Sequence, residues 1–319
     1  MREYIIRRLL LILPIMVGVS FLTYATFSII PGDAAVLICQ FDCTPENLVL
    51  IREDLGLDRP FLVQYGDWLL HAFQGDLGES FHYRGVTVTS ELERRLPITV
   101  ELMVLSLGFA LVLGIPPGVL SAIRSGTLAD LASRFISVVW LSVPNFYLAI
   151  IFIAFGFNWF GWVPPNFSSS GYVDFTDDPI KNLEIMLLPS FILSLSIAAV
   201  IMRLTRSAML EVMGNDYIRT AWSKGLRERA VVWRHALKNA MIPVLTIVGL
   251  QVGALIGGAV LIESVFGLNG IGVYLLEAIL RRDLLVVQSL VLLFALAYVV
   301  VNLAVDLAYA WLDPRIRYG

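Results

Sequence analysis

Six stretches of the chain are long enough to cross a bilayer and hold no Asp, Glu, Lys or Arg: 9–30, 102–123, 135–160, 185–202, 240–262 and 284–305. A hydrocarbon core about 30 Å thick takes roughly 20 apolar residues at about 1.5 Å of rise each, so each run can span as a helix. Short segments of alternating polarity, the mark of a membrane barrel, are missing. Inside lipid the backbone must satisfy its own hydrogen bonds. The pattern therefore predicts an all-α, polytopic membrane protein with about six transmembrane helices. Arg2, Arg7 and Arg8 precede the first run as they would in a signal peptide. That run is longer than a typical signal core and no A-x-A cleavage site follows, so it is expected to stay as an anchor.

Two polar stretches lie between the runs. The first, 31–97, is punctuated by Gly56-Leu57-Asp58-Arg59-Pro60 and by Gly75-Asp76-Leu77-Gly78. Short helices are expected over 45–55 and 61–73, where Leu62, Tyr65, Leu69 and Leu70 recur at helical spacing. Such a stretch serves as a lid, as a docking surface for an external partner, or as a cap that merely covers the bundle. The second, 203–239, interleaves eight basic residues with apolar ones. Ile218, Ala221 and Trp222 share one helical face there, and Gly225 is suited to end that helix. Three readings compete: a basic segment on an anionic leaflet, a solvated loop, or a helix that enters a groove of a partner protein.

Composition supports the membrane assignment, since 58% of the 319 residues are hydrophobic and only 15% are charged. With the N-terminus in the cytoplasm, the inner segments 1–8, 124–134, 203–239 and 306–319 hold 15 of the 23 Lys and Arg. That bias fits the positive-inside rule and returns the C-terminus to the cytoplasm after six crossings. The expected organisation is a cytoplasmic N-terminus at 1–8, a first span at 9–30, an extracytoplasmic region at 31–97 and a core at 98–319 with five more spans and the loop 203–239. Cys39 and Cys43 fall in the outer region, as a disulfide or as two free thiols. No metal site is expected, because the three histidines add too few ligands.

Candidate chemistry is sparse. A phosphate-cradling loop needs Gly-Lys followed by Ser or Thr, and none of Lys181, Lys224 and Lys238 follows a glycine. Any ATP-driven work must then come from another polypeptide. Glu101 and Asp306 sit at the ends of apolar runs, where water or headgroups solvate them. Asn145, Gln251 and Asn302 lie deeper, either lining a solute pathway or bonding across helices. Pro116-Pro117, Pro144, Pro189 and Pro243 are candidate kinks, and Gly249, Gly253 and Gly257 form a small-residue face for close helix approach. An ion-driven carrier often buries an ionisable group within a span, which none of the six runs contains; a scaffold that only assembles partners is a third class.

The inner loop resembles the permease subunits of ATP-binding-cassette importers, in the dipeptide, oligopeptide and nickel branch. The matching residues are Asp216-Tyr217-Ile218-Arg219-Thr220-Ala221-Trp222-Ser223-Lys224-Gly225-Leu226 and Arg234-His235-Ala236-Leu237-Lys238-Asn239-Ala240-Met241-Ile242-Pro243. Landmarks in the expected order extend the resemblance: 56–60, Gln64-Tyr65, Gly75-Asp76-Leu77-Gly78 with Ser80, Leu96-Pro97 with Thr99, Arg282-Asp283 and Asp313-Pro314-Arg315. After Phe266 the chain has Asn269-Gly270-Ile271-Gly272, where the family often shows Pro-Gly. The resemblance implies a type I importer permease fold in a bacterial plasma membrane, with Asp216, Tyr217, Ile218, Arg219, Thr220, Ala221, Lys224 and Gly225 coupling to an ATPase. It also implies a second homologous permease, two ATPases that bind ATP and Mg, an extracytoplasmic substrate-binding protein, and no cofactor in this chain. No nucleic-acid partner is expected. Peptides are the leading substrate class, with nickel, glutathione and oligosaccharides carried by similar systems.

Overall fold

A computed structural model of the chain describes residues 2–29, 35–36, 44–54, 56, 58–80, 85–161 and 171–312. Cys39 and Cys43 lie outside the described residues. The helices are α1 (Arg2–Ile29), α2 (Pro45–Asp54), α3 (Phe61–Phe73), α4 (Val88–Ile123), α5 (Leu128–Ser142), α6 (Asn145–Phe160), α7 (Pro179–Met213), α8 (Asp216–Ser223), α9 (Leu237–Phe266), α10 (Ile271–Arg281) and α11 (Leu284–Leu312). A helical turn, Glu228–Ala230, and a π-helical turn, Val231–Ala236, lead into α9. Among the described residues the one extended pairing outside helices is an isolated bridge between Glu79 and Thr87. The all-α expectation holds.

Helices α4, α7, α11 and α9 with its leading turns are each long and apolar enough to cross a membrane. The pair α5 and α6 makes a fifth crossing if it counts as one span, and the apolar stretch Leu10–Thr26 of α1 is shorter. The run 135–160, expected as one span with a candidate kink at Pro144, is divided between two helices: the chain bends by 94° between α5 and α6. The bend falls at Val143, which is extended, and Pro144, which precedes α6. Proline lacks an N–H and pushes the residue before it out of helical geometry, so the helix stops there. Glu101 and Asp306 are not at helix ends either, because α4 starts at Val88 and α11 continues to Leu312.

Contacts divide the chain into two compact units, Met1–Pro97 with Gly270–Val299, and Ile98–Asn269 with Val300–Gly319. In the second unit α7 is the central helix and packs on α5, α6 and α9. Ile192, Leu193, Ile197, Ala198 and Ile201 of α7 lie in its core. Glycines let α4 and α7 approach closely: a Cβ on Gly114 would come 2.7 Å from Ile201 Cγ2, and one on Gly118 2.7 Å from the Met202 carbonyl oxygen. The stripe on α9 does less than its spacing suggests. Gly249 meets Val305, at 3.0 Å from a Cβ, whereas Gly253 and Gly257 are exposed and a Cβ on Gly257 would meet nothing within 4 Å.

In the first unit, Val88 and Leu92 of α4 pack with Ile271, Tyr274 and Ala278 of α10 and with Val286, Val287 and Leu290 of α11. Two sequence landmarks meet here. Asp283 opens α11 by accepting from the Val286 N–H, and its other carboxylate oxygen accepts from the Ser80 hydroxyl. Gly78 stands against Leu285, 3.2 Å from where its Cβ would be. Arg282, at φ 58, makes the left-handed turn between α10 and α11.

Overpacking at Gly118 should therefore destabilise. Gly118→Ala is expected to lose about 1–3 kcal/mol, read as a lower melting temperature of the purified chain in detergent. Gly257→Ala, with open space around it, should show no loss in the same melt.

Candidate functional site

The short helix α8 is eight residues long, too short to be stable by itself. Ile218 is fully buried and Ala221 nearly so; they join Val119 of α4, Ala208 and Met209 of α7, Val231, Val232 and Ala236 of the turn leading into α9, and Ala240 of α9. Burial of these two residues holds the helix. Its C-terminus closes in a Schellman motif: the Gly225 N–H donates to the Trp222 carbonyl at 2.9 Å and the Leu226 N–H to the Ala221 carbonyl at 3.4 Å. Gly225 sits at φ +74, and a Cβ there would meet nothing within 4 Å, so backbone conformation, not space, selects glycine.

The opposite face is open. The Asp216 and Arg219 side chains are 97% and 75% exposed and 3.6 Å apart, an ion pair that contributes little in water. Lys224, at the C-terminal end of the helix, is exposed too. Thr220 donates its hydroxyl back to the Asp216 carbonyl at 3.0 Å. Tyr217 accepts from Asn239 Nδ2 at 2.8 Å, and Asn239 also reaches the His235 carbonyl, which ties α8 to the start of α9. Trp222 does not share the burial of Ile218 and Ala221: it is exposed, like Tyr217 and Trp233. The loop thus offers polar charges interleaved with aromatic rings on a helix fixed from behind.

A buried ion pair supports the same region. Asp130 accepts from Arg206 Nε at 2.7 Å and Nη2 at 3.0 Å, from the Ser121 hydroxyl at 2.6 Å, and from the Gly126 N–H at 3.0 Å. This two-pronged contact joins α4, the turn after it and α5 to the last turns of α7, from which α8 departs. Sequence reasoning misses it, because Arg206 reads only as one of the inner cations. The one available signal is that Asp130 is the sole acid in 124–134.

The three pathway candidates part company. Asn145 donates from Nδ2 to the Leu193 carbonyl at 3.1 Å and to the Ser196 hydroxyl at 3.0 Å, fastening the α5–α6 bend to α7. Gln251 and Asn302 are half-buried on α9 and α11, and no hydrogen bond among the described residues joins either to Asn145. Two carboxylates at the edges of apolar runs are held by protein groups, where Glu101 was expected to be solvated. Glu101 accepts from the Tyr172 hydroxyl at 2.7 Å and from Asn182 Nδ2 at 3.0 Å. Burial first, and then the Glu101 carboxylate, push the Tyr172 phenol well above its usual range, so it stays a donor. Glu263 is fully buried near the end of α9 and accepts from the Thr99 hydroxyl at 2.6 Å. The apolar run ends at Ile262, one residue short of it, so a carrier is not excluded by a lack of buried acids.

Family membership decides between the classes instead. Residues 114–318 match the binding-protein-dependent transport system inner membrane component, and residues 1–103 match the N-terminal part of such membrane components. The dipeptide transport system permease protein DppB of Alkalihalophilus pseudofirmus is 39% identical over 334 residues, covering 100% of both chains. DppB of Escherichia coli K12 is 38% identical over 339 residues, covering 100% of this chain and 99% of its own. The chain belongs to the ABC importer permeases of the dipeptide/oligopeptide family. As such a permease it is a multi-pass inner-membrane protein, in a family whose ATPase activity lies in partner subunits. No group of three or more His, Cys, Asp or Glu among the described residues is arranged to hold a metal ion.

Two outcomes follow from this geometry. Gly225→Ala forces a side chain into the left-handed region at about 1–2 kcal/mol, and should speed amide exchange over 216–226 without changing the melting temperature of the bundle. Asp130→Ala leaves Arg206 without its carboxylate and should lower the melting temperature, whereas Asp130→Ala with Arg206→Met should recover much of it; a double mutant as unstable as the sum of the singles would count against the pair.

Proposed function

We propose that this permease translocates di- or oligopeptides delivered by an extracytoplasmic binding protein, in a complex with a second homologous permease and two ATPases that bind ATP and Mg. The observation that carries the reading is α8: a short helix buried on one side, capped at Gly225, and open on the side of Asp216, Tyr217, Arg219 and Lys224. A partner that moves such a helix moves whatever the helix is anchored in. Full-length similarity to dipeptide permeases supports peptides as the substrate class. The loop lies in the cytoplasm, with both chain termini, in agreement with the distribution of Lys and Arg.

Coupling then works by differential affinity. The ATPases bind α8 better in one orientation of the bundle than in the other, and ATP-driven closure shifts the population between inward-open and outward-open forms. Moving that population from 1:99 to 99:1 takes about 5.5 kcal/mol, which one or two exposed contacts do not supply. Docking is therefore shared among Asp216, Tyr217, Arg219, Thr220 and Lys224, while Ile218, Ala221 and Gly225 hold the helix in shape. Gln251 and Asn302 are the better remaining candidates for the pathway, because the amide nitrogen of Asn145 is committed to α7.

Arg219→Glu with Lys224→Glu changes only exposed side chains. A loss of about 1.4 kcal/mol of docking in the driving state corresponds to about a tenfold fall, so peptide uptake by the reconstituted complex should drop about tenfold or more at unchanged membrane abundance of the chain. Normal uptake by the double variant would remove α8 from the coupling path.

A further inference from the structure

We propose that α3 is embedded in the membrane, with Leu62, Val63, Leu70 and Phe73 against lipid acyl chains in the leaflet around the C-terminal end of α1. The proposal rests on reading α1 as a membrane span and goes beyond the transport function.

The surface of α3 divides into three sectors. Tyr65 and Trp68 are buried and, with Phe61, Leu69 and Ala72, pack against Tyr24 of α1 and Leu284, Leu285 and Leu292 of α11. Gln64, Asp67 and His71 form a polar sector, where Arg59 pairs with Asp67 at 2.8 Å and His71 Nδ1 lies 2.7 Å from the Asp67 carbonyl oxygen. Between these sectors stand Leu62, Val63, Leu70 and Phe73, which are 69%, 45%, 62% and 63% exposed. A helix with an uncovered apolar sector next to a polar one has the surface of a helix lying in a membrane interface.

Depth selects lipid as the occupant. The Phe61 ring lies 5.8 Å from Phe21 and 5.2 Å from Tyr24, and the Tyr65 ring 5.4 Å from Phe21. The Tyr65 hydroxyl donates to the Val17 carbonyl at 3.0 Å and lies 2.8 Å from the Ser20 hydroxyl, while the Tyr24 hydroxyl donates to Gln64 Oε1 at 2.8 Å. At about 1.5 Å per residue, the levels of Val17 to Tyr24 lie about 7–18 Å short of the end of α1 at Ile29. The apolar run of α1 begins after Arg8, and about 20 residues fill the hydrocarbon core, so these levels lie within it. Away from α3 at the same levels, Leu22 of α1 is apolar and 66% exposed as well. On this proposal the exposed sector of α3 and Leu22 of α1 meet the same acyl chains.

The test uses the assembled transporter in nanodiscs, with Cys39 and Cys43 replaced by serine and a nitroxide placed on Leu70→Cys or on His71→Cys. Collisions with oxygen should exceed those with a neutral nickel chelate at position 70, and the order should reverse at position 71. Chelate access at 70 equal to that at 71 would place the sector in water, and low access to both reagents at 70 would place it under a protein partner; either result overturns the proposal. If the labelled variants fail to assemble, the native complex can be photolabelled with a phospholipid carrying a diazirine midway along its acyl chain. Adducts on Leu62, Val63, Leu70 or Phe73 are expected, together with adducts on Leu22. Labelling at Leu22 without any in 61–73 overturns the proposal, whereas absence of both overturns the reading of α1 as a span.

Discussion

Acyl chains are as apolar as leucine, so a bilayer supplies no hydrophobic force to press one spanning helix against another. What holds such helices is close backbone contact and hydrogen bonding that lipid cannot replace. The second unit shows both. Gly114 and Gly118 bring α4 within touching distance of α7, and each would clash there if it carried a methyl group. Polar side chains complete the joins: Glu101 with Tyr172 and Asn182, Asn145 with the α7 backbone, Thr99 with Glu263, and Arg206 with Asp130. Each is a contact between segments far apart in the chain, and each has its counterpart groups at hydrogen-bonding distance.

That bonded frame gives α8 its mechanical meaning. An isolated eight-residue helix would fray, but Ile218 and Ala221 are set into a cluster that draws on α4, α7 and the start of α9. The Asp130–Arg206 pair fixes α7 about two turns before the chain turns into α8. On the proposed reading, a push on the exposed face of α8 is therefore delivered to several spans together instead of being absorbed by a flexible loop. The π-helical turn Val231–Ala236 lies in the same join; such turns are frequent at functional positions in helices.

Much of the architecture is readable in the sequence because its cause is local. Runs of apolar residues mark helices, and the end of α8 at Gly225 follows from the left-handed turn that glycine adopts easily. Helix limits are less readable: α4 and α11 continue well past the apolar runs, since a helix can leave the hydrocarbon without ending. Pro144 stands out as a candidate kink, yet composition alone does not distinguish a kink from the 94° bend that separates α5 from α6. Spacing also misassigns close approach. Gly253 and Gly257 have the small-residue period but are exposed, and among the described residues nothing stands within 4 Å of a Cβ on Gly257, whereas Gly114 and Gly118 have the same period and are covered by α7.

The order of residues by itself determined that this chain lives in lipid, that it is helical, and that it carries one basic, punctuated loop; hydropathy, backbone hydrogen bonding and glycine geometry act over a few residues and need no partner to be evaluated. Only the tertiary structure decided which carboxylates are buried, which glycines are contacts, and which face of α8 is open. Those depend on what stands across the gap from each side chain, and the partner of Asp130, Glu101 or Glu263 lies dozens of residues away, where no local pattern marks it.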